Sequence, residues 1–172
     1  ALSTPFIRAL GDKYPDADLY YLTTPAGAAL LKNNPLIKEI IVFDKKGKDK
    51  GIRGLFKAVK TIRKYRFDKV FILHRYLRSS LLGYFSKAKE RIGFDVASGS
   101  FWYTKKIVYR KDLHEIDRLL QFIDGESGKY KVEIYPSDIN VGNIDAIWQK
   151  HGIKDQKIVA VAPGSKWFTK MW

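Results

Sequence analysis

Short apolar runs at residues 17–23, 37–43, 67–73 and 91–94 alternate with stretches of helical periodicity, and no other feature restricts the fold as tightly. A strand, a helix and a second strand in succession build a parallel β-α-β unit, whose crossover is right-handed in nearly all proteins. The chain therefore reads as α/β, a Rossmann-like parallel sheet with flanking helices. The run Phe-Asp-Lys-Val-Phe-Ile-Leu at 67–73 is continuously apolar enough to belong at the centre of that sheet.

The helices are legible from their ends and stripes. Thr4-Pro5 reads as an N-cap and first helical residue, opening a helix through Phe6, Ile7, Ala9 and Leu10 that ends at Tyr14-Pro15. A short helix at 26–32 stops at Asn33-Asn34-Pro35. After a loop at 44–54 rich in glycine and lysine, helical spacing places Ile52, Leu55, Phe56, Val59 and Ile62 on one stripe. Residues 77–85 read as helix and 101–110 as extended. Leu113, Ile116, Leu119, Leu120 and Ile123 mark a helix over 113–123. A polar connection at 125–135 leads to a last helix, 141–151, closed by Gly152.

Ligands of such sheets sit at the carboxyl ends of the strands. Thr23-Thr24, the 44–54 loop, residues 74–78 and Phe94-Asp95 all follow strands, so one rim should gather them. A Rossmann-like domain opens on a strand, whereas here a helix follows Ala1 at once. The first strand is therefore expected to be missing from the chain.

The net charge of +14 calls for an anionic partner: nucleic acid, an anionic membrane surface or phosphorylated substrates. The charge is clustered, since residues 45–66 hold ten Lys or Arg against the single acid Asp49. With no cysteine, disulfides, thiol catalysis and cysteine-based metal sites are excluded. His74, His114 and His151 lack metal-binding spacing, so neither a metal nor a cofactor is expected in this segment. No apolar run reaches the roughly 18 residues that span a bilayer, and the chain reads as soluble and cytoplasmic.

Four groups of residues can carry chemistry, each with a plainer alternative. The run Ile158 to Val161 breaks at Pro163-Gly164 and releases Ser165, Lys166 and Lys170. That is either a strand opening into a diphosphate-binding loop or a strand-to-helix turn with surface lysines. Lys45, Lys46, Lys48, Lys50 and Arg53 are either a solvated charged face or a site for an acidic ligand. His114 and Arg118, four apart, should share a helix face, with Glu115 and Asp117 on other faces. They are either a binding pair or surface residues. Arg78 either meets an anion at the rim or merely caps it. No Ser-His-Asp, Cys-His or paired-carboxylate constellation is evident in the sequence.

Taken in order, these segments resemble glycosyltransferase family 9, the ADP-heptose:lipopolysaccharide heptosyltransferases, and especially its heptosyltransferase II-like members. The residues that carry the resemblance are Leu2 to Leu10 with Tyr14-Pro15, Phe67-Asp68 to Leu73, Arg78-Ser79-Ser80 and Arg91-Ile92-Gly93-Phe94. His114-x-x-x-Arg118 and Ala162-Pro163-Gly164-Ser165 with Lys170-Met171-Trp172 complete it. Met171, Phe168 and His74-Arg75 depart from the family's pattern.

The resemblance implies a GT-B enzyme of two Rossmann-like domains. Residues 1–153 would be the amino-terminal acceptor-binding domain, and 154–172 a linker with the truncated start of the nucleotide-sugar domain. It implies metal-independent, inverting transfer of heptose or a related sugar from ADP-heptose to the phosphorylated inner core of lipopolysaccharide. Ser165, Lys166 and Lys170 would bind the donor, with Lys170 neutralising the ADP leaving group. Lys45, Lys46, Lys48, Lys50, Arg53, Arg78, His114 and Arg118 would face the acceptor. The general-base Asp would lie just upstream of Ala1, so the segment alone is expected to be inactive. The expected location is the inner face of the plasma membrane of a Gram-negative-type bacterium, with peripheral membrane contact and no nucleic acid. The alternative is a non-catalytic basic module that binds nucleic acid or an anionic membrane surface.

Overall fold

The computed structural model describes residues 2–153 and 157–159. The chain divides into two compact units, residues 1–135 and 136–172. In the first unit the order is α1 (Thr4–Lys13), β1 (Leu19–Thr23), α2 (Pro25–Leu31), β2 (Ile37–Val42), α3 (Gly51–Lys64), β3 (Lys69–Ile72), α4 (Leu77–Phe85), β4 (Glu90–Phe94), β5 (Lys105–Ile107) and α5 (Glu115–Leu120). Short 3₁₀ turns precede β5 at Ser100–Trp102 and follow α5 at Gln121–Ile123. The extended stretch expected at 101–110 is thus a turn followed by a three-residue strand.

Every strand pairing is parallel, as the alternation of strands and helices requires, but the strands form two sheets. β1 pairs with β2, and β4 lies between β3 and β5. Among the described residues no ladder joins the two sheets. β3 is therefore the edge of its sheet and not a central strand, contrary to the expectation from its composition. Its apolar character has another cause, because both of its faces are covered. Phe71 and Leu73 pack against the cluster of Phe6, Leu10, Phe94, Leu120 and Phe122. Ile72 and Val70, pointing the other way, join Ala97 and Tyr103.

Helices cover the strands in two groups. α1 and α5 supply Phe6, Ala9, Leu10, Leu119 and Leu120 to one core. Ala58, Val59 and Ile62 of α3 and Leu82 of α4 close another over Ile41 and Phe43. On β4 the alternation is sharp, with Phe94 1% exposed in the first core. Gly93 faces the Tyr103 ring, which would lie 2.2 Å from any Cβ at that position. Tyr103 in turn shares a 2.6 Å hydrogen bond with the fully buried Ser80 of α4.

Three local readings change. Ser3, not Thr4, precedes the first turn of α1, and Thr4 lies inside the helix. Its buried hydroxyl accepts from the Glu133 amide at 2.9 Å. α3 begins at Gly51, within the stretch expected to be loop. Its stripe also divides: Val59 and Ile62 are buried, but Ile52 and Phe56 are 72% and 67% exposed. The polar connection before residue 136 is tied down, because Arg8 donates to Glu133 at 3.1 Å and to the Tyr135 hydroxyl at 2.7 Å.

The second unit contains α6 (Asp138–Lys150). A capping box opens it: Ser137 Oγ accepts from the Asn140 amide at 3.2 Å, and Asn140 Oδ1 accepts from the Ser137 amide at 3.3 Å. Among the described residues no helix is long and apolar enough to cross a membrane.

Candidate functional site

The segments that follow β3, β4 and β5 meet through a small number of named contacts. The Ser98 amide donates to the Arg75 carbonyl at 2.9 Å, joining the β3 and β4 exits. Asp95 Oδ1, just past β4, accepts from the Tyr109 amide at 3.0 Å and from the Val96 amide at 2.8 Å. This fixes the segment leaving β5. Phe94 then meets the Tyr109 ring edge-on, with centroids 5.1 Å apart.

Two guanidinium groups lie against that tyrosine. Arg75 Cζ is 4.3 Å, and Arg118 Cζ 4.5 Å, from the ring centroid. Their other contacts differ. Arg118 is 9% exposed, and its Nε and Nη2 donate to the Arg110 and Leu113 carbonyls at 2.8 and 2.6 Å. Its Nη1 donates to the Glu115 carboxylate. Arg75 is exposed, and its guanidinium has no hydrogen-bond acceptor among the described residues. A planar donor fork held over a ring with its N–H groups open suits phosphate or carboxylate recognition.

His74 extends the same rim. The residue is exposed overall, yet surrounding protein atoms desolvate its ring. That desolvation, aided by the charge of Lys45, holds the imidazole below its usual pKa against the opposing pull of Glu115. A neutral ring accepts or donates a hydrogen bond without adding charge.

The loop that carries Lys45 is built around two aspartates. Asp49 is 4% exposed and accepts from the Asp44 amide at 3.0 Å and from Lys57 Nζ at 3.2 Å. The amide hydrogen bond first, then Lys57 and Lys48, hold its carboxyl below the usual range. Asp44 Oδ1 closes the turn by accepting from the Gly47 amide at 2.9 Å. Gly54 seats α3 against this loop, since a Cβ there would fall 1.9 Å from the Asp49 carbonyl oxygen. Lys45, Lys46, Lys48, Lys50 and Arg53 all point outward, and none forms an ion pair among the described residues.

The nominated residues are therefore only partly brought together. Arg118 belongs to the cluster, and Lys45 bears on it only through its charge acting on His74. His114 does not share a helix face with Arg118: it is the N-cap of α5, its Nδ1 accepting from the Ile116 amide at 3.3 Å. Glu115, expected on another face, is the carboxylate that Arg118 holds. Arg78, near the start of α4, makes no hydrogen bond or ion pair among the described residues. Ser165, Lys166 and Lys170 lie outside the described residues.

Sequence reasoning nominates Arg78 from the 74–78 segment, whereas Arg75 holds the place on the rim. Tyr109 and Asp95 were not nominated either. Position immediately beyond a strand's carboxyl end was the available signal for Arg75 and Asp95. Two shallow clefts of about 230 and 260 Å³ lie elsewhere, one beside Lys13, Asp124 and Tyr130, the other at the amino ends of β1 and β2. Among the described residues no three His, Asp or Glu side chains converge as a metal site would need.

The model of glycosyltransferase family 9 (heptosyltransferase) matches residues 55–172. The crystal structure of a family 9 glycosyl transferase from Veillonella parvula is 25% identical to the chain, with a TM-score of 0.89 over 99% of it and 52% of that protein. The E. coli ADP-heptose lps heptosyltransferase II is 17% identical, with a TM-score of 0.64 over 90% of this chain and 47% of that one. The chain thus spans about half the length of the solved structures it matches. No curated protein sequence matches it.

Proposed function

The chain belongs to glycosyltransferase family 9, and from that premise we propose that its rim binds the acceptor in a sugar-transfer reaction. The donor is ADP-heptose or a similar nucleotide sugar, and the acceptor is the phosphorylated inner core of lipopolysaccharide. Transfer is metal-independent and inverts the anomeric centre.

The observation that carries this reading is the open Arg75 guanidinium, lying over the Tyr109 ring just beyond the carboxyl end of β3. A charge-assisted hydrogen bond from such a group selects an anionic acceptor and orients it, so that the reacting hydroxyl meets the donor in a productive geometry. Arg118 acts differently: by holding the 110–113 carbonyls and the Tyr109 ring it positions the rim without touching the ligand. The outward lysines of the 45–50 loop draw the acceptor in by long-range attraction. Ser165, Lys166 and Lys170 meet the donor diphosphate, where Lys170 stabilises charge developing on departing ADP. The protein works at the inner face of the plasma membrane, in peripheral contact with it.

The test is release of ADP from ADP-heptose with a Kdo-terminated, phosphorylated acceptor, measured on the protein in its natural full length. Acceptor-dependent release is expected, and no turnover with any nucleotide-activated sugar would sink the reading. Lys170→Ala should lower the rate of transfer and leave acceptor binding nearly intact. Equal losses in both would argue against a leaving-group role.

A further inference from the structure

The apolar stripe of helix α3 has a covered part and an open part. One, with Ala58, Val59 and Ile62, packs onto Ile41 and Phe43. The other consists of Ile52 and Phe56, one helical turn apart and 72% and 67% exposed. Helical spacing sets Lys60 and Arg63 beside this second pair, with Arg53, Lys57 and Lys64 next around the helix. Water alone does not favour two large apolar side chains held outward on a helix this basic.

We propose that this face of α3 docks on an anionic phospholipid bilayer. Ile52 and Phe56 enter the boundary between headgroups and acyl chains, while the surrounding lysines and arginines meet lipid phosphates. Charge complementarity selects this occupant. Residues 45–66 hold ten cations and one acid, and that acid, Asp49, is 4% exposed and already satisfied by the Asp44 amide and Lys57. The outward surface therefore offers almost nothing to a cationic partner. An amphipathic helix with a basic polar face and an aromatic on the other is the composition that lies in a membrane interface, and each basic residue there adds attraction to anionic lipid. Nucleic acid is the poorer fit, because one phenylalanine and one isoleucine make no stacking platform for successive bases. The proposal deepens the membrane contact named above and rests on that part alone, independent of which sugar is transferred.

The test uses sedimentation of the full chain with vesicles of phosphatidylglycerol mixed into phosphatidylcholine, against pure phosphatidylcholine and against duplex DNA. Binding to the anionic vesicles is expected, weakening with salt, and Ile52→Ser with Phe56→Ser should reduce it roughly 10- to 100-fold. Unchanged thermal unfolding would confirm that this variant stays folded. Because the chain has no cysteine, Phe56→Cys also accepts a single environment-sensitive dye. Its emission should shift to the blue on anionic vesicles, whereas a dye on Asp16→Cys, at the other end of the strands, should not respond. Vesicle binding that ignores the double substitution, no shift at position 56, preferential binding to DNA, or self-association lost with the same substitutions would each overturn the proposal.

Discussion

Arg118 and Arg75 lie against the same tyrosine, and the surroundings of each decide what it does. Around Arg118 the segment from Tyr109 to Glu115 closes in, supplying two carbonyls and a carboxylate, and the guanidinium becomes part of the fold. Around Arg75 the described residues offer a ring and no acceptor. The contrast extends to whole segments. Positive charge is folded inward at α5 but left outward on the 45–50 loop and on α3, where the one nearby acid is already engaged. A cation's type and place in the sequence therefore say less about its role than the number of acceptors its neighbours bring.

The comparison can be broken most forcefully at Arg118. Arg118→Ala leaves two carbonyls and Glu115 without their donor and should destabilise the fold by about 2–4 kcal/mol, as read from denaturant unfolding. Arg118→Lys should recover only part of this, since an ammonium cannot reproduce the three-way fork. A variant as stable as the parent would mean that the buried contacts are incidental.

Arg75→Ala is the converse. Stability should stay within about 0.5 kcal/mol of the parent, while affinity for a phosphorylated acceptor falls roughly 10- to 100-fold, the effect of one charged hydrogen bond. Replacing Tyr109 by leucine should give a smaller loss of affinity, because the fork remains but loses the ring that orients it.

The smallest effect concerns the loop. Asp49 has its folded pKa lowered by the Asp44 amide, Lys57 and Lys48, so its contribution is present at neutral pH. That contribution is lost as pH falls through the lowered value. Asp49→Asn should therefore weaken the protein slightly at pH 7 and reduce the slope of stability with pH on the acid side. An unaltered slope would show that the loop does not depend on the carboxylate.

Much of the fold was legible because period and punctuation agreed. The 77–85 helix coincides with α4, and the short helix expected at 26–32 lies within one residue of α2. What escaped were features that depend on contacts distant in sequence. Composition marked residues 67–73 as buried on two faces, which does not say which strands lie alongside. Helical spacing put Ile52 and Phe56 on the stripe of α3, but Ile41, Phe43 and Leu82 meet that stripe further along, at Ala58, Val59 and Ile62. For the site, the 74–78 segment was legible from its position after a strand. The choice of Arg75 over Arg78 required knowing where Tyr109 falls, and that ring arrives from the far side of β5. His114 was misplaced because a side chain that caps its own helix start cannot also stand on the helix face.

The most direct test compares phosphorylated and dephosphorylated acceptors with the parent protein and with Arg75→Ala, measuring KM and kcat of sugar transfer. The account predicts that the parent prefers the phosphorylated acceptor through KM, and that Arg75→Ala loses this preference with little change in kcat. A preference that survives intact in Arg75→Ala would contradict it.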